Sequence, residues 1–174
     1  TALSLHADGA HVLSNAIRGG MFGIWARHRA GPGVAVLLTF LSGVLGNVTV
    51  GILGGPNRVS VGASTAVFGC VGVLCGSRFW DSFRVSGLSR GIWSRTWLPL
   101  ASGMGVLALM GGGDAARNVD VLAHVAGLLW GGGCGLLLAS TVRRAPGPLV
   151  QIACLSWAIV AMVAAWRIAV IFGG

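Results

Sequence analysis

The apolar residues of this chain gather into six runs separated by short polar or glycine- and proline-marked breaks. The first covers about residues 10–27 and is followed by the basic stretch Arg27-His28-Arg29-Ala30-Gly31-Pro32-Gly33. The second, about 34–54, ends at Gly54-Gly55-Pro56-Asn57, and the third spans about 62–77. A polar loop is expected from Arg78 to Arg95, with Trp80, Trp93 and Trp97 at interfacial positions. The fourth run is about 96–112, the fifth about 120–142 and the sixth about 148–172. A short loop, residues 113–119, precedes the fifth, and Arg143-Arg144-Ala145-Pro146-Gly147 closes it. Several runs approach the ~20 residues that a helix needs to cross hydrocarbon. The pattern therefore predicts an all-α bundle with six membrane spans, the first and third short enough for their ends to lie below the surface.

Composition sharpens this reading. Hydrophobic residues make up 55% of the chain and charged residues only 9%. A soluble domain covers itself with far more charge, about 25% of residues, so a polytopic membrane protein is expected. The chain starts at Thr1, and the basic n-region and compact apolar core of a signal peptide are not seen there. The net charge of +8 comes from arginine alone. In a soluble protein that excess would suggest nucleic acid; here its placement speaks of topology, and no nucleic-acid partner is expected. One set of loops carries Arg27, Arg29, Arg78, Arg84, Arg90, Arg95, Arg143 and Arg144 against Asp81, and the other holds Arg58 and Arg117 near Asp8, Asp114 and Asp120. By the positive-inside rule the first set is cytoplasmic. Cys70, Cys75, Cys134 and Cys154 all fall inside apolar runs without metal-ligand spacing to histidine. They read as small packing residues, with no disulfide framework, metal or cofactor expected.

With that orientation, segments one, three and five run the same way, from outside to inside. Their starts hold His11 and Asn15, then Ser64, then His124, so the candidate chemistry collects at one depth near the outer face. A serine is a weak nucleophile until a base takes its proton, and histidine is the usual base. Within a helix the common fate of a serine is a hydrogen bond to its own backbone, so Ser64 alone says little. His124 is rarer: a histidine within a span marks function by default, with an interhelical hydrogen bond as the structural alternative. Gly127 and Gly131 follow it on roughly the same face and permit close approach to a neighbouring helix. Phe68 and Gly72 share the face of Ser64, so a close crossing of segments three and five would bring His124 against Ser64 with Phe68 flanking the imidazole. His11 and Asn15 lie one turn apart, where an imidazole N–H and an amide can donate to a developing oxyanion. The Ser64 backbone N–H, near the positive end of its helix, adds another donor. Asp120, four residues before His124, is a candidate to orient the imidazole but reads rather as the N-cap of segment five, while His6 and Asp8 read as interfacial. Arg18, well inside segment one, snorkels or bonds neighbouring carbonyls.

These residues resemble a known family, the rhomboid intramembrane serine proteases. The resemblance rests on His6-x-x-x-x-His11-Val-Leu-Ser-Asn15, on Gly62-Ala63-Ser64-Thr65-Ala66-Val67-Phe68-Gly69, and on Ala123-His124-Val-Ala-Gly127-x-x-x-Gly131, in the family's order over roughly residues 1–140. It implies a rhomboid-like helix bundle with a Ser–His dyad, Ser64 as nucleophile and His124 as general base and acid. It also implies oxyanion support from Asn15, His11 and the Ser64 amide, with Phe68, Gly62, Gly127 and Gly131 in supporting positions. The implied reaction is endopeptidase cleavage of membrane-anchored proteins in or near a transmembrane segment, within a bacterial inner membrane, with the site opening to the non-cytoplasmic side. Residues 111–118 are expected to help gate entry. Two departures stand out. Thr65 occupies the place of the glycine that usually follows the serine, which is expected to narrow the site or alter its packing. The family's first helix and the membrane-embedded loop after it precede the His–Asn helix and have no counterpart here, as expected of a fragment or of a branch lacking them.

The expected organisation is a catalytic bundle over residues 1–142 and a basic turn plus an additional C-terminal helix over 143–174. The rival readings are a catalytically silent relative that binds transmembrane clients and a small transporter using Arg18 and His124. A transporter would show inverted repeats or paired broken helices, and neither is visible in the sequence. The partners expected are transmembrane substrates and the lipid bilayer; the sequence leaves the oligomeric state open.

Overall fold

The computed structural model describes residues 2–5, 8–54, 62–88, 95–111 and 120–172. His6, Trp93, Arg58, Arg90, Arg117, the Gly55-Pro56-Asn57 break and most of the 111–118 stretch lie outside them. After a 3-10 turn at Ala2–Ser4 come α1 (Gly9–Ala30), α2 (Pro32–Gly54), α3 (Ser64–Ser86), α4 (Leu98–Gly111), α5 (Val121–Thr141) and α6 (Pro148–Phe172). The described residues contain no strand. Each of the six apolar runs is thus a helix.

Local chemistry sets the ends, and it moves two of them outward from the hydropathy pattern. Asp8, read from sequence as interfacial, caps α1: its carboxylate accepts from the His11 backbone N–H at 2.7 Å. At the other end, α1 continues through Arg27, His28 and Arg29, which from sequence belong to a turn. Cations in a last helical turn complement the partial negative charge of the helix end. Gly31, at φ 82°, then reverses the chain, and Pro32 opens α2, where its missing N–H costs nothing. The larger correction concerns α3, which runs to Ser86 instead of stopping near residue 77. Much of the expected polar loop is helix because its apolar side is aromatic. Phe79 and Phe83 stack at 6.3 Å, Trp80 meets Phe83 at 5.7 Å, and Trp97 closes onto Phe79 at 5.5 Å. On the polar side, Asp81 pairs with Arg29 of α1 at 3.5 Å. Beyond α3, Thr96 donates to the Gly87 carbonyl at 2.8 Å, tying down the connection to α4.

The helix α3 is the central post, contacted by α1, α2, α4 and α5. Its buried side includes Thr65 and the unbroken run Val67–Val73. Among the described residues, α2, α5 and α6 are long and apolar enough to cross a membrane, and α4 is a shorter apolar helix. Large apolar side chains cover the outside, including Leu109 at 82% exposure and Phe172 at 81%. Helices that satisfy their own backbone and turn apolar side chains outward are what a bilayer requires, and the chain is an integral membrane protein.

The outermost helix, α6, packs on α2, and the residue that joins them is Gln151. Its Oε1 accepts from the Val34 N–H at 3.0 Å, and its Nε2 donates to the carbonyls of Ala30 and Pro146 at 3.0 and 3.1 Å. One amide thereby serves the end of α1, the start of α2 and the start of α6. Gln151→Ala leaves these backbone groups unserved and is expected to cost about 2 kcal/mol. That corresponds to roughly 4–8 °C in the thermal midpoint of the detergent-solubilised chain. A midpoint unchanged within a degree would show that the bridge contributes nothing.

Candidate active site

Ser64 is the first residue of α3. The chain reaches it through Gly62, whose φ of +115° lies where a side chain would be strained. A β-carbon there would also stand 2.8 Å from Cε1 and Nε2 of His11 and 3.5 Å from Nδ2 of Asn15. Gly62 is therefore the point where α1 meets the turn into α3. The bare backbone lets the His11 ring and the Asn15 amide close on the segment carrying Ser64. Being at the first position of a helix, Ser64 has a backbone N–H without an intrahelical acceptor.

His124 arrives from α5. Asp120 caps that helix by accepting from the Ala123 N–H at 3.1 Å. Its carboxylate is thus engaged with the helix end, as its position in the sequence suggests. What brings α5 to α3 is glycine. A β-carbon on Gly127 would collide with the Thr65 carbonyl oxygen, one on Gly131 with that of Gly69, and one on Gly135 with that of Val73. From the other side, Gly72 and Gly76 of α3 lie against the backbones of Leu128 and Gly132. The two helices touch backbone to backbone over more than two turns, and Ser77 adds a hydrogen bond to the Gly135 carbonyl at 3.0 Å. Gly127 and Gly131 are the seam positions expected from the sequence; Gly135, at the same four-residue interval, extends the seam by a further turn.

Where α3 and α5 begin, at one end of this seam, His124 Nε2 lies 2.9 Å from Ser64 Oγ. The imidazole is 5% exposed, and the ring of Phe68, 3% exposed, lies 4.5 Å away centroid to centroid at a tilt of 33°. Phe68 therefore limits where the imidazole can go. Asn15 is also 5% exposed, and its Nδ2 has no hydrogen-bond partner among the described residues. A buried donor without an acceptor is costly and uncommon. The structure thus brings Ser64, His124, Phe68, Gly62, His11 and Asn15 together at one level, with Gly127 and Gly131 in the seam beneath.

Of the two effects expected of Thr65, narrowing the site or altering its packing, the structure bears on the second. It is 2% exposed, and its methyl group points between α2 and α5, 2.7 Å from where a β-carbon on Gly46 would be and 3.2 Å from one on Gly127. Its bulk is taken up in helix packing, in a slot left by two glycines. Among the described residues there is no group of three or more potential metal ligands, and the four cysteines are free.

In chemical terms the arrangement is a hydroxyl bonded to a buried imidazole, with amide and imidazole donors across a glycine turn. It suits proton removal from the hydroxyl and stabilisation of negative charge beside it. A family model described as Rhomboid domain matches residues 1–141. Neither a curated protein nor a solved structure matches the chain.

Proposed function

The chain belongs to the rhomboid family, and from that premise we propose that it is an intramembrane serine endopeptidase working through Ser64 and His124. The observation that carries the reading is the 2.9 Å contact between Ser64 Oγ and His124 Nε2. In the proposed mechanism His124 Nε2 takes the hydroxyl proton as Oγ attacks the scissile carbonyl carbon. The carbonyl oxygen becomes an oxyanion, which needs donors already in place. Asn15 Nδ2, the His11 ring N–H and the Ser64 backbone N–H supply them, which gives the unpartnered Asn15 amide a task. His124 then returns the proton to the departing amine, leaving an acyl ester on Ser64. Water, deprotonated by the same imidazole, hydrolyses the ester and restores the hydroxyl.

The substrate class follows from the medium. In a membrane, a peptide bond inside a helix has its N–H and C=O bonded internally, and leaving them unsatisfied costs several kcal/mol. We assign as substrates membrane-anchored proteins whose transmembrane segments carry small, weakly helical residues near one end, where unwinding is cheapest. The charge distribution supports a site opening to the non-cytoplasmic side, and we place the chain in a bacterial inner membrane.

The test is labelling of the full chain in detergent or liposomes with a fluorophosphonate, followed by mass mapping. The expected adduct sits on Ser64 and is missing in Ser64→Ala and in His124→Ala. A folded protein that yields no adduct would overturn the protease reading in favour of a silent, client-binding relative.

A further inference from the structure

Away from Ser64, around the C-terminal half of α3, two cavities share His28 and Arg29 in their linings. The first, about 420 Å³, is lined by Arg29, Arg84, Arg143 and Arg144 with Asp81 as its acidic member. These arginines come from α1, α3 and the connection between α5 and α6. Asp81 is engaged by Arg29 at 3.5 Å, so the guanidinium groups of Arg84, Arg143 and Arg144 face a cavity short of negative charge. The second cavity, about 630 Å³, combines Arg78 and Arg95 with apolar walls from Trp25, Leu74, Leu98 and Pro99.

Retention of arginine on one side of a membrane explains why these residues occupy this end of the bundle. It does not by itself gather arginines from three separate elements around one open cavity, where Arg84, Arg143 and Arg144 are exposed and an anion held among them would relieve their mutual repulsion. Guanidinium groups match phosphate in charge and in the geometry of their donors. The neighbouring cavity offers apolar walls from Trp25, Leu74, Leu98 and Pro99 beside its polar members. A basic cup beside an apolar slot, at the depth where helices end, fits an amphiphile with an anionic head.

We propose that the two cavities together hold one anionic phospholipid. Its phosphate lies among Arg84, Arg143 and Arg144, and an acyl chain runs along Trp25, Leu74 and Leu98. The lipid would brace the ends of α1 and α3 against the start of α4. The site stands apart from Ser64 and His124, and its existence does not depend on the protease reading.

The experiment titrates the detergent-solubilised full chain with phosphatidylglycerol, with phosphatidylcholine of identical acyl chains, and with inorganic phosphate, following the thermal midpoint. Phosphatidylglycerol is expected to raise the midpoint saturably, with an affinity at least tenfold above that of phosphatidylcholine. The Arg84→Gln/Arg143→Gln/Arg144→Gln variant is expected to lose that preference, while Arg167→Gln, on α6, keeps it. Should the triple variant fail to fold, Arg143→Gln/Arg144→Gln, confined to the exposed α5–α6 connection, is expected to weaken phosphatidylglycerol binding at least threefold. Equal response to the two lipids would overturn the proposal, as would a folded triple variant that binds like the native chain. An equal response to inorganic phosphate and to phosphatidylglycerol would overturn it as well, leaving a site for free anions.

Discussion

Ser64→Ala is expected to abolish cleavage of a membrane-anchored substrate while leaving the bundle folded. The substitution removes one oxygen, half-buried at the start of α3, and with it the bond to His124. A single hydrogen bond of this kind contributes about 1 kcal/mol to stability. The same oxygen forms and breaks the covalent bond in the proposed reaction, so its loss removes the reaction path itself. His124→Ala is expected to slow cleavage by about 10²–10⁴-fold, the usual contribution of a positioned general base. Here structure and chemistry need separating, because deleting a buried imidazole packed on Phe68 leaves a hole that also costs stability. Added imidazole distinguishes the two effects. If His124 acts as a base, imidazole entering the hole beside Phe68 restores part of the rate; a residue that only fills space would show no such rescue. The measurement is cleavage of a reconstituted substrate in liposomes, with thermal midpoints recorded alongside. Ser64→Ala retaining more than a few per cent of the native rate would place the nucleophile elsewhere and end the proposal.

The ingredients of this site were legible in the sequence because membrane helices impose a ruler. Six apolar runs and a one-sided arginine distribution are enough to put His11, Asn15, Ser64 and His124 at one depth. The four-residue interval from Gly127 to Gly131 foretold the close seam. Boundaries that depend on pairing were less legible. Residues 78–86 carry arginines, an aspartate and serines, and a hydropathy pattern reads them as loop. Phe79, Trp80 and Phe83 pack on one another within α3, a local pattern, but the partners that complete that turn, Arg29 for Asp81 and Trp97 for Phe79, come from α1 and from the approach to α4. Gln151 was invisible for a similar reason. Its partners Ala30 and Val34 lie more than a hundred residues away, and nothing local marks a glutamine as the joint among three helices. Thr65 reads as a departure from its family until the structure shows Gly46, on another helix, making room for its methyl group.

The second large effect expected lies in the seam. Gly131→Val puts a branched side chain where the Gly69 carbonyl oxygen already stands, and a backbone oxygen in the middle of α3 cannot rotate away. Relief comes from moving α5 off α3, and α5 carries His124. Overpacking of this kind costs about 1–3 kcal/mol even where side chains can adjust, so a contact with backbone is expected at or above the top of that range. A displacement of about 1 Å at the reacting groups is enough to lower a rate by some 10²-fold, so cleavage is expected to fall by at least that much in whatever protein remains folded. Gly133 supplies the internal comparison, two residues away on the same helix but with no atom within 4 Å of an added β-carbon. Gly133→Ala is expected to keep the native rate and to gain up to about 1 kcal/mol, since alanine favours a helix over glycine by that amount. Cleavage rates and thermal midpoints of both variants in the same detergent separate a general intolerance of α5 to substitution from a need for backbone contact at residue 131. If Gly131→Val cleaved at the native rate, the close approach of α5 to α3 would not be what holds His124 against Ser64, and the dyad would need another support.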